Sequence, residues 1–228
     1  MNNGIRVKLF GSVLAAAAAL AFTSEARAAD GEWGLHNANI LSGKNLMAYG
    51  EAGWPGVSLG AQYGLSDKID IGGRFAFLYG GFYHPSFVAP GMELNAVIRI
   101  GILKGPKYSL FAHVDPGIKF ATFSGPAFGI SAPFGAEFGI HFTPEATLQL
   151  GLEVPFYLNL TGGAIFVNIP PMAGPGFEYH IGDNIALGLN TRFGATIGAG
   201  GVTGGRGAGF SGAGFGFVTQ AYFAYKIF

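Results

Sequence analysis

The sequence has no cysteine and few charged residues. Asp, Glu, Lys and Arg make up 11% of its 228 residues, whereas typical globular chains contain about 25%. Without cysteine there is no disulfide framework, so an exported domain of this size must be held together by hydrogen bonds and burial. A soluble surface with so few charges would be adhesive. The composition therefore favours a surface that faces lipid.

The chain also has no apolar run long enough for a membrane-spanning helix, which needs about 20 residues. Its longest run, residues 9–22, follows Arg6 and Lys8 and ends near Ala26-Arg27-Ala28. A basic start, a short apolar region and small closing residues are typical of a secretory signal peptide. The sequence therefore predicts a signal peptide at residues 1–28, and a helical membrane protein is excluded. A twin arginine and a cysteine for a lipid anchor are both absent from the sequence.

The predicted mature chain carries little net charge. Residues 1–28 contain three of the 13 basic residues and one of the 13 acidic ones, which leaves 10 basic and 12 acidic residues and a net charge of −2. This balance gives no indication of a nucleic acid or an anionic surface as partner. The remaining 200 or so residues are enough for one all-β domain.

What the sequence does contain is a repeated alternation of apolar and polar residues. In residues 92–120, Leu94, Ile98 and Ile100 share one parity, while Glu93 and Arg99 share the other. A strand places alternate side chains on opposite faces. After a Lys-Gly-Pro-Lys turn the alternation resumes, so this stretch predicts a β-hairpin with one apolar and one charged face.

The alternation recurs from residue 44 to residue 228 and predicts a barrel of ten strands, with eight or twelve as alternatives. Tight turns centred on Asp67, Gly105, Pro144 and Asp183 are spaced by 38, 39 and 39 residues. Short turns alternate with longer predicted loops, including the glycine-rich residues 198–214, as in transmembrane barrels. Residues 29–43 show no period and are predicted to form an amino-terminal arm. An even strand count places the first and the last strand residue at the same end of the barrel.

Ionisable residues within one predicted strand share a parity, so one face of the sheet is charged. The apolar face repeats over about ten residues, the length that crosses a bilayer at a barrel's tilt, and glycines on the charged face suit a narrow lumen. We therefore predict an all-β, transmembrane, antiparallel up-and-down β-barrel with its charges inside. The predicted lumen-lining ion-pair network is Asp70, Arg74, Glu93, Arg99, His113, Asp115, Lys119, Glu137, His141, Glu153, Glu178, His180, Arg192 and Lys226.

The last strand, TQAYFAYKIF, ends on Phe228. In this the chain resembles the small outer-membrane β-barrel proteins of Gram-negative bacteria, whose closing strand typically ends in phenylalanine. The resemblance implies a location in the cell outer membrane and contact with its lipids. It also implies the barrel-assembly machinery as a partner and Phe228 as an assembly signal.

Two other motifs do not indicate a cofactor or a catalytic site. Residues 207–212 spell GxGxxG, but a dinucleotide site needs a strand before this motif and a helix after it. The histidines and carboxylates could converge as an acid–base set or a metal site, yet no spacing is diagnostic and no nucleophile stands out. Structural ion pairing is the favoured interpretation. We predict no cofactor, no metal and no catalytic residue.

The predicted function is that of an outer-membrane barrel, either structural or a narrow passive pore for ions and small solutes, and not an enzyme. One alternative is a soluble exported β-sandwich or lipid-binding barrel with an apolar interior. Another is a lipid-modifying barrel enzyme that uses groups such as Glu137 or His141.

Overall fold

The fold consists of β-strands, in a computed structural model that describes residues 33–36, 41, 43–80, 90–122, 126–161, 164–202 and 210–228. No helix long and apolar enough to cross a membrane occurs in these ranges. The predicted signal peptide at 1–28 lies outside them. The strands are β1 (Leu46–Trp54), β2 (Gly56–Gly64), β3 (Ile69–Leu78), β4 (Gly91–Lys104), β5 (Tyr108–Val114), β6 (Gly117–Thr122), β7 (Pro126–Ser131), β8 (Phe134–His141), β9 (Ala146–Val154), β10 (Tyr157–Thr161), β11 (Ala164–Ile169), β12 (Met172–Ile181), β13 (Ile185–Val202) and β14 (Phe210–Lys226).

These fourteen segments form ten spans, because four spans are each interrupted once near their middle. The interruptions between β5 and β6, β7 and β8, β9 and β10, and β11 and β12 contain Pro116, Pro133, Pro155, and Pro170 with Pro171. Proline has no N–H to donate to a strand ladder. Neighbouring spans remain joined there, since the backbone N–H of Asp115 donates to the carbonyl of Pro133 at 2.7 Å. The predicted count of ten is confirmed.

The ten spans close into an antiparallel barrel. Each span pairs with the next along the chain, and β1 pairs with β14 from Met47↔Lys226 to Trp54↔Thr219. The two ends of the barrel meet, because the N–H of Leu46 donates to the carbonyl of Phe228 at 2.8 Å. The predicted up-and-down barrel is confirmed, and the β-sandwich alternative is wrong.

The side chains are distributed inside out relative to a soluble protein. Leu59, Leu94 and Leu152 point outward and are 69%, 56% and 55% exposed, whereas Glu178 and Arg99 point inward and are 0% and 2% exposed. Alternation along each strand produces both faces at once. The polar lumen also disagrees with the alternative of a barrel with an apolar interior.

The barrel has two ends that we name by their connections. The turn end carries the connections at 65–68, 105–107, 142–145 and 182–184 and both termini of the barrel, and the loop end is the opposite one. The predicted alternation of short turns with longer loops is wrong at β1–β2, where Pro55 alone makes the connection. The predicted loop at 198–214 is wrong at residues 198–202 and 210–214, because Gly198 pairs with Gly212 in the β13–β14 ladder; residues 203–209 lie outside the described ranges. Alternating small residues form strands without producing an apolar period.

Candidate functional site

The fourteen ionisable residues predicted for the lumen fall into two groups by burial. The buried group is Asp70, Glu93, Arg99, Asp115, Glu137, Glu178 and Arg192. The partly buried group is Arg74, His113, Lys119, His141, Glu153, His180 and Lys226.

Ion pairs inside the lumen join charges of neighbouring spans and of spans farther apart around the barrel. Arg99 contacts Asp70 at 2.5 Å, Lys119 contacts Glu93 at 3.1 Å, Arg192 contacts Glu137 at 3.1 Å, and Arg74 lies 3.5 Å from Asp115. Each charge is removed from bulk water, and a buried charge left without a partner would cost several kcal/mol. The pairing therefore stabilises a lumen that could not otherwise hold so many charges.

The histidines have different partners. His113 lies 3.2 Å from Asp115, and His180 lies 3.0 Å from Glu178. In both pairs the residues are two apart along one span and so share a face. His141 contacts no carboxylate among the described residues, and its ring nitrogens bond to the hydroxyls of Ser109 and Thr147 at 2.8 and 2.9 Å.

Glycines give the large inward side chains room to lie flat against the wall. A Cβ at Gly60 would overlap the ring of Tyr49 on the adjacent strand, and a Cβ at Gly188 would overlap the ring of Tyr222. Gly151 similarly lies beneath the guanidinium of Arg192, which reaches Glu137 from there. On the charged face, each of these glycines thus leaves space for a large side chain of another strand.

The described residues of the amino-terminal arm lie inside the barrel and fill the lumen near the turn end. Trp33, Leu35 and Leu41 are 2%, 4% and 0% exposed, and they form one apolar cluster with inward residues of β1, β13 and β14. The indole N–H of Trp33 donates to the carbonyl of Asp183 in the β12–β13 turn at 3.0 Å. The described part of the arm therefore acts as a plug.

Charged residues of the wall bind the backbone of the arm. Arg99 donates to the carbonyls of Gly34 and Leu35 at 2.8 and 2.5 Å. The carboxylate of Glu178 accepts from the N–H of Leu35 at 3.1 Å, and that of Asp70 accepts from the N–H of Leu41 at 3.1 Å. The wall thus satisfies backbone groups that would otherwise be buried without partners.

His36 bridges two walls of the lumen. Its Nδ1 lies 3.1 Å from Glu137 on β8, and its Nε2 lies 3.2 Å from Glu51 on β1. Burial opposes a charge on the ring, but the two carboxylates outweigh it and raise the pKa of His36 to about 10. His36 is therefore an imidazolium that holds the arm between the two carboxylates.

The sequence did not indicate the arm contacts or Glu51. The described residues of the arm form neither a strand nor a helix, and their partners are 15 to 150 residues away in the chain. Glu51 has the parity of Met47 and Tyr49, which also point inward. Since that inward row mixes apolar and charged residues, the alternation did not mark Glu51 as a lumen-facing charge.

A cavity of about 110 Å³ lies on the loop-end side of the arm. Leu35 and His36 of the arm line one side of it, and Leu78 and Val218 line it toward the loop end. Among its polar lining residues are Glu51, Gln62, Arg74, Asp115, Glu137, Glu153, Asn190 and Arg192.

The described residues offer no arrangement typical of a metal centre or a nucleophilic enzyme. No group of three or more His, Asp or Glu side chains among them could hold a metal ion. The hydroxyl of Ser109 and the ring of His141 are hydrogen-bonded, as a nucleophilic serine and its general base would be. Ser109, however, is 0% exposed. A nucleophile must reach its substrate, so this pair serves as a structural hydrogen bond.

Comparison with known proteins adds no family to this description. No family model matches the chain, and no curated protein has a similar sequence.

Proposed function

We propose that the chain is an outer-membrane β-barrel that serves as a narrow passive conduit for ions and small solutes, held closed by its own amino-terminal arm. The observation that carries the proposal is the inside-out distribution of side chains. Rows of exposed Leu, Ile and Phe surround the barrel, while its carboxylates and guanidinium groups point inward. Such an exterior matches hydrocarbon, and such an interior matches water and ions.

The aromatic residues on the outside support a membrane location. Five of them lie near the turn end and are 37 to 46% exposed: Tyr63, Tyr108, Phe142, Tyr179 and Tyr225. Four of them belong to different spans and Phe142 begins the β8–β9 turn, so the five are distributed around the circumference. Tyrosine rings prefer the boundary between water and lipid, where barrels carry aromatic girdles. This girdle of five aromatic side chains would mark one of the two boundaries between lipid and water.

Closure of the barrel supports the same location. An open sheet edge cannot be exposed to hydrocarbon, because its N–H and C=O groups would lack partners. Here the terminal strands β1 and β14 pair with each other over eight residue pairs. Phe228 at the seam remains our candidate for the assembly signal, recognised by the barrel-assembly machinery.

The conduit hypothesis rests on how the lumen is filled. Backbone groups of the arm occupy the turn end through hydrogen bonds, and the cavity continues on the other side of the arm. A conduit would therefore conduct once the arm leaves, whereas a purely structural scaffold would stay silent in planar bilayers.

A charge placed on the outer surface tests the membrane location. Leu152 is 55% exposed and has Ala136 and Ala173 as its cross-strand neighbours, so an arginine there meets no steric obstacle. In lipid, Leu152→Arg should destabilise the folded barrel by about 2 to 4 kcal/mol. On a water-exposed surface the change would be within about 0.5 kcal/mol.

The measurement is urea-induced unfolding of the barrel in lipid vesicles. Leu65→Arg is the matched control, because Leu65 is 57% exposed but lies in the β2–β3 turn. Equal stabilities for the two variants would count against a lipid-facing Leu152 and so against the membrane location.

A further inference from the structure

The cavity beside the arm contains hydrogen-bond acceptors without partners. The Oε2 of Glu137 and the Oε1 of Gln62 are buried and have no hydrogen-bond partner in the described part of the chain. Their residues are 6% and 3% exposed, and both line the cavity. A buried acceptor without a donor costs about 1 to 3 kcal/mol, so a ligand that supplies N–H groups would be favoured there.

Glu153 also lines the cavity and is the carboxylate there that no described residue pairs. Glu51, Glu93, Asp115 and Glu137 each have an ion-pair partner. Glu153 has neither an ion pair nor a hydrogen bond with any residue of the described ranges. It lies diagonally across the β8–β9 ladder from Glu137, since Gly135 pairs with Glu153 and Glu137 pairs with Gly151. Diagonal neighbours on one face are within reach of a common small ligand.

The charges of the lining favour a cation. Five carboxylates and three guanidinium groups line the cavity, an excess of two negative charges. Protonated His36 reduces this excess to one. His113, which interacts electrostatically with Glu153, reduces it to zero when protonated, so a cation is favoured while His113 is neutral. A positively charged ligand beside Glu153 would neutralise this remaining negative charge.

The shape and chemistry of the lining favour an organic cation over a metal ion. The described residues include no group of His, Asp and Glu with metal-binding geometry, and the lining also contains Val97, Phe111, Tyr157 and Val218. The cavity of about 110 Å³ exceeds the roughly 30 Å³ share of one water in the liquid. An ammonium group with a short carbon chain would place its N–H donors on the acceptors and its carbons on this apolar wall.

We propose that this cavity is a binding site for a small primary ammonium compound, with Glu153 as its counter-charge and Glu137 and Gln62 as hydrogen-bond acceptors. The site goes beyond the conduit function, because binding can be measured whether or not the barrel conducts.

Calorimetric titration of the folded full-length barrel in detergent micelles tests the proposal, with ethanolamine hydrochloride as the probe. Ethylene glycol is the neutral probe of the same size, and potassium chloride keeps the ionic strength equal. We expect saturable binding of ethanolamine and none of ethylene glycol. Glu153→Gln should weaken ethanolamine binding by at least about tenfold, because a hydrogen bond to a charged group is lost.

Glu145→Gln is the matched control, since Glu145 is an exposed carboxylate in the β8–β9 turn. It should bind ethanolamine as the wild type does. Equal binding by the Glu153→Gln and Glu145→Gln variants would overturn the assignment, and so would equal binding of ethanolamine and ethylene glycol by the wild type. The second comparison needs no variant and stays decisive if Glu153→Gln fails to fold.

Discussion

Arg99→Met is the substitution that tests most directly how the arm is held. The guanidinium of Arg99 contacts Asp70 at 2.5 Å and the carbonyls of Gly34 and Leu35 at 2.8 and 2.5 Å. Asp70 in turn accepts the N–H of Leu41. Methionine keeps much of the side-chain length but donates no hydrogen bond, so the variant removes three polar contacts and leaves the Asp70 carboxylate without its cation.

The expected cost follows from burial. Arg99 and Asp70 are 2% and 0% exposed, and removing one partner of a buried ion pair costs about 3 to 5 kcal/mol. If this cost falls on the docked arm, the docking equilibrium shifts toward the released arm by about two to three and a half orders of magnitude. The double variant Arg99→Met/Asp70→Asn should recover part of the barrel's stability without restoring the arm contacts of Arg99.

The chain provides its own reporter for the arm. It contains two tryptophans, Trp33 in the arm and Trp54 at the loop end of β1. In a Trp54→Phe background, the fluorescence of Trp33 should shift to longer wavelength and become accessible to acrylamide when Arg99 is replaced. Conductance in planar bilayers should rise in the same variant if the barrel is a conduit.

Lys68→Met is the control for Arg99→Met. Lys68 is an exposed cation in the β2–β3 turn, so its loss changes the charge at the turn end without removing an arm contact. If Trp33 is as protected in the Arg99→Met variant as in this control, Arg99 does not hold the arm. A released arm without any conductance would instead contradict the conduit and leave the plug intact as a structural feature.

Two further predictions concern His36 and Gly151. The pKa of His36 in the folded protein, about 10, lies above its ordinary value of 6.5, so its stabilisation of the arm is complete below pH 6.5 and is lost as the pH rises through about 10. The difference in Trp33 quenching between His36→Gln and the parent chain should therefore be largest at low pH, and a difference that grows with pH would contradict the bridge. Gly151→Ala should displace Arg192 from Glu137 and cost about 3 to 5 kcal/mol in urea unfolding. Gly73→Ala, where a Cβ would make an ordinary van der Waals contact with the carbonyl oxygen of Asn95 at 3.9 Å, should cost much less; equal costs would show that Gly151 has no special role.

The barrel itself was predictable from the sequence because strand alternation is a local property. The residues of one strand are enough to show its two faces. In β4, Glu93 and Arg99 have one parity, and Leu94 and Ile98 have the other. Alternation is less informative where both faces carry small residues, which is why the glycine-rich part of β13 and β14 was predicted as a loop. The breaks at Pro116, Pro133 and Pro155 were also missed, because one proline can end a strand, bend it or lie at its edge.

The candidate site was predictable only in part. Shared parity placed Glu137 and Arg192 on the charged face, but parity does not say which acid meets which base. The pairing depends on register, as with Arg192, which reaches Glu137 across Gly151 from three spans away. Glu153 had the same parity, and only the tertiary structure shows that it forms no ion pair or hydrogen bond with a described residue.

The sequence by itself determined that the chain is a ten-span barrel with charges on one face and apolar side chains on the other. This follows because alternation with period two can be recognised within the sequence of each strand alone. Only the tertiary structure decided that the arm enters the lumen, with His36 between Glu51 and Glu137. Those contacts join residues that are 15 and 101 positions apart, and no local pattern records which distant side chains the closure of a barrel brings together.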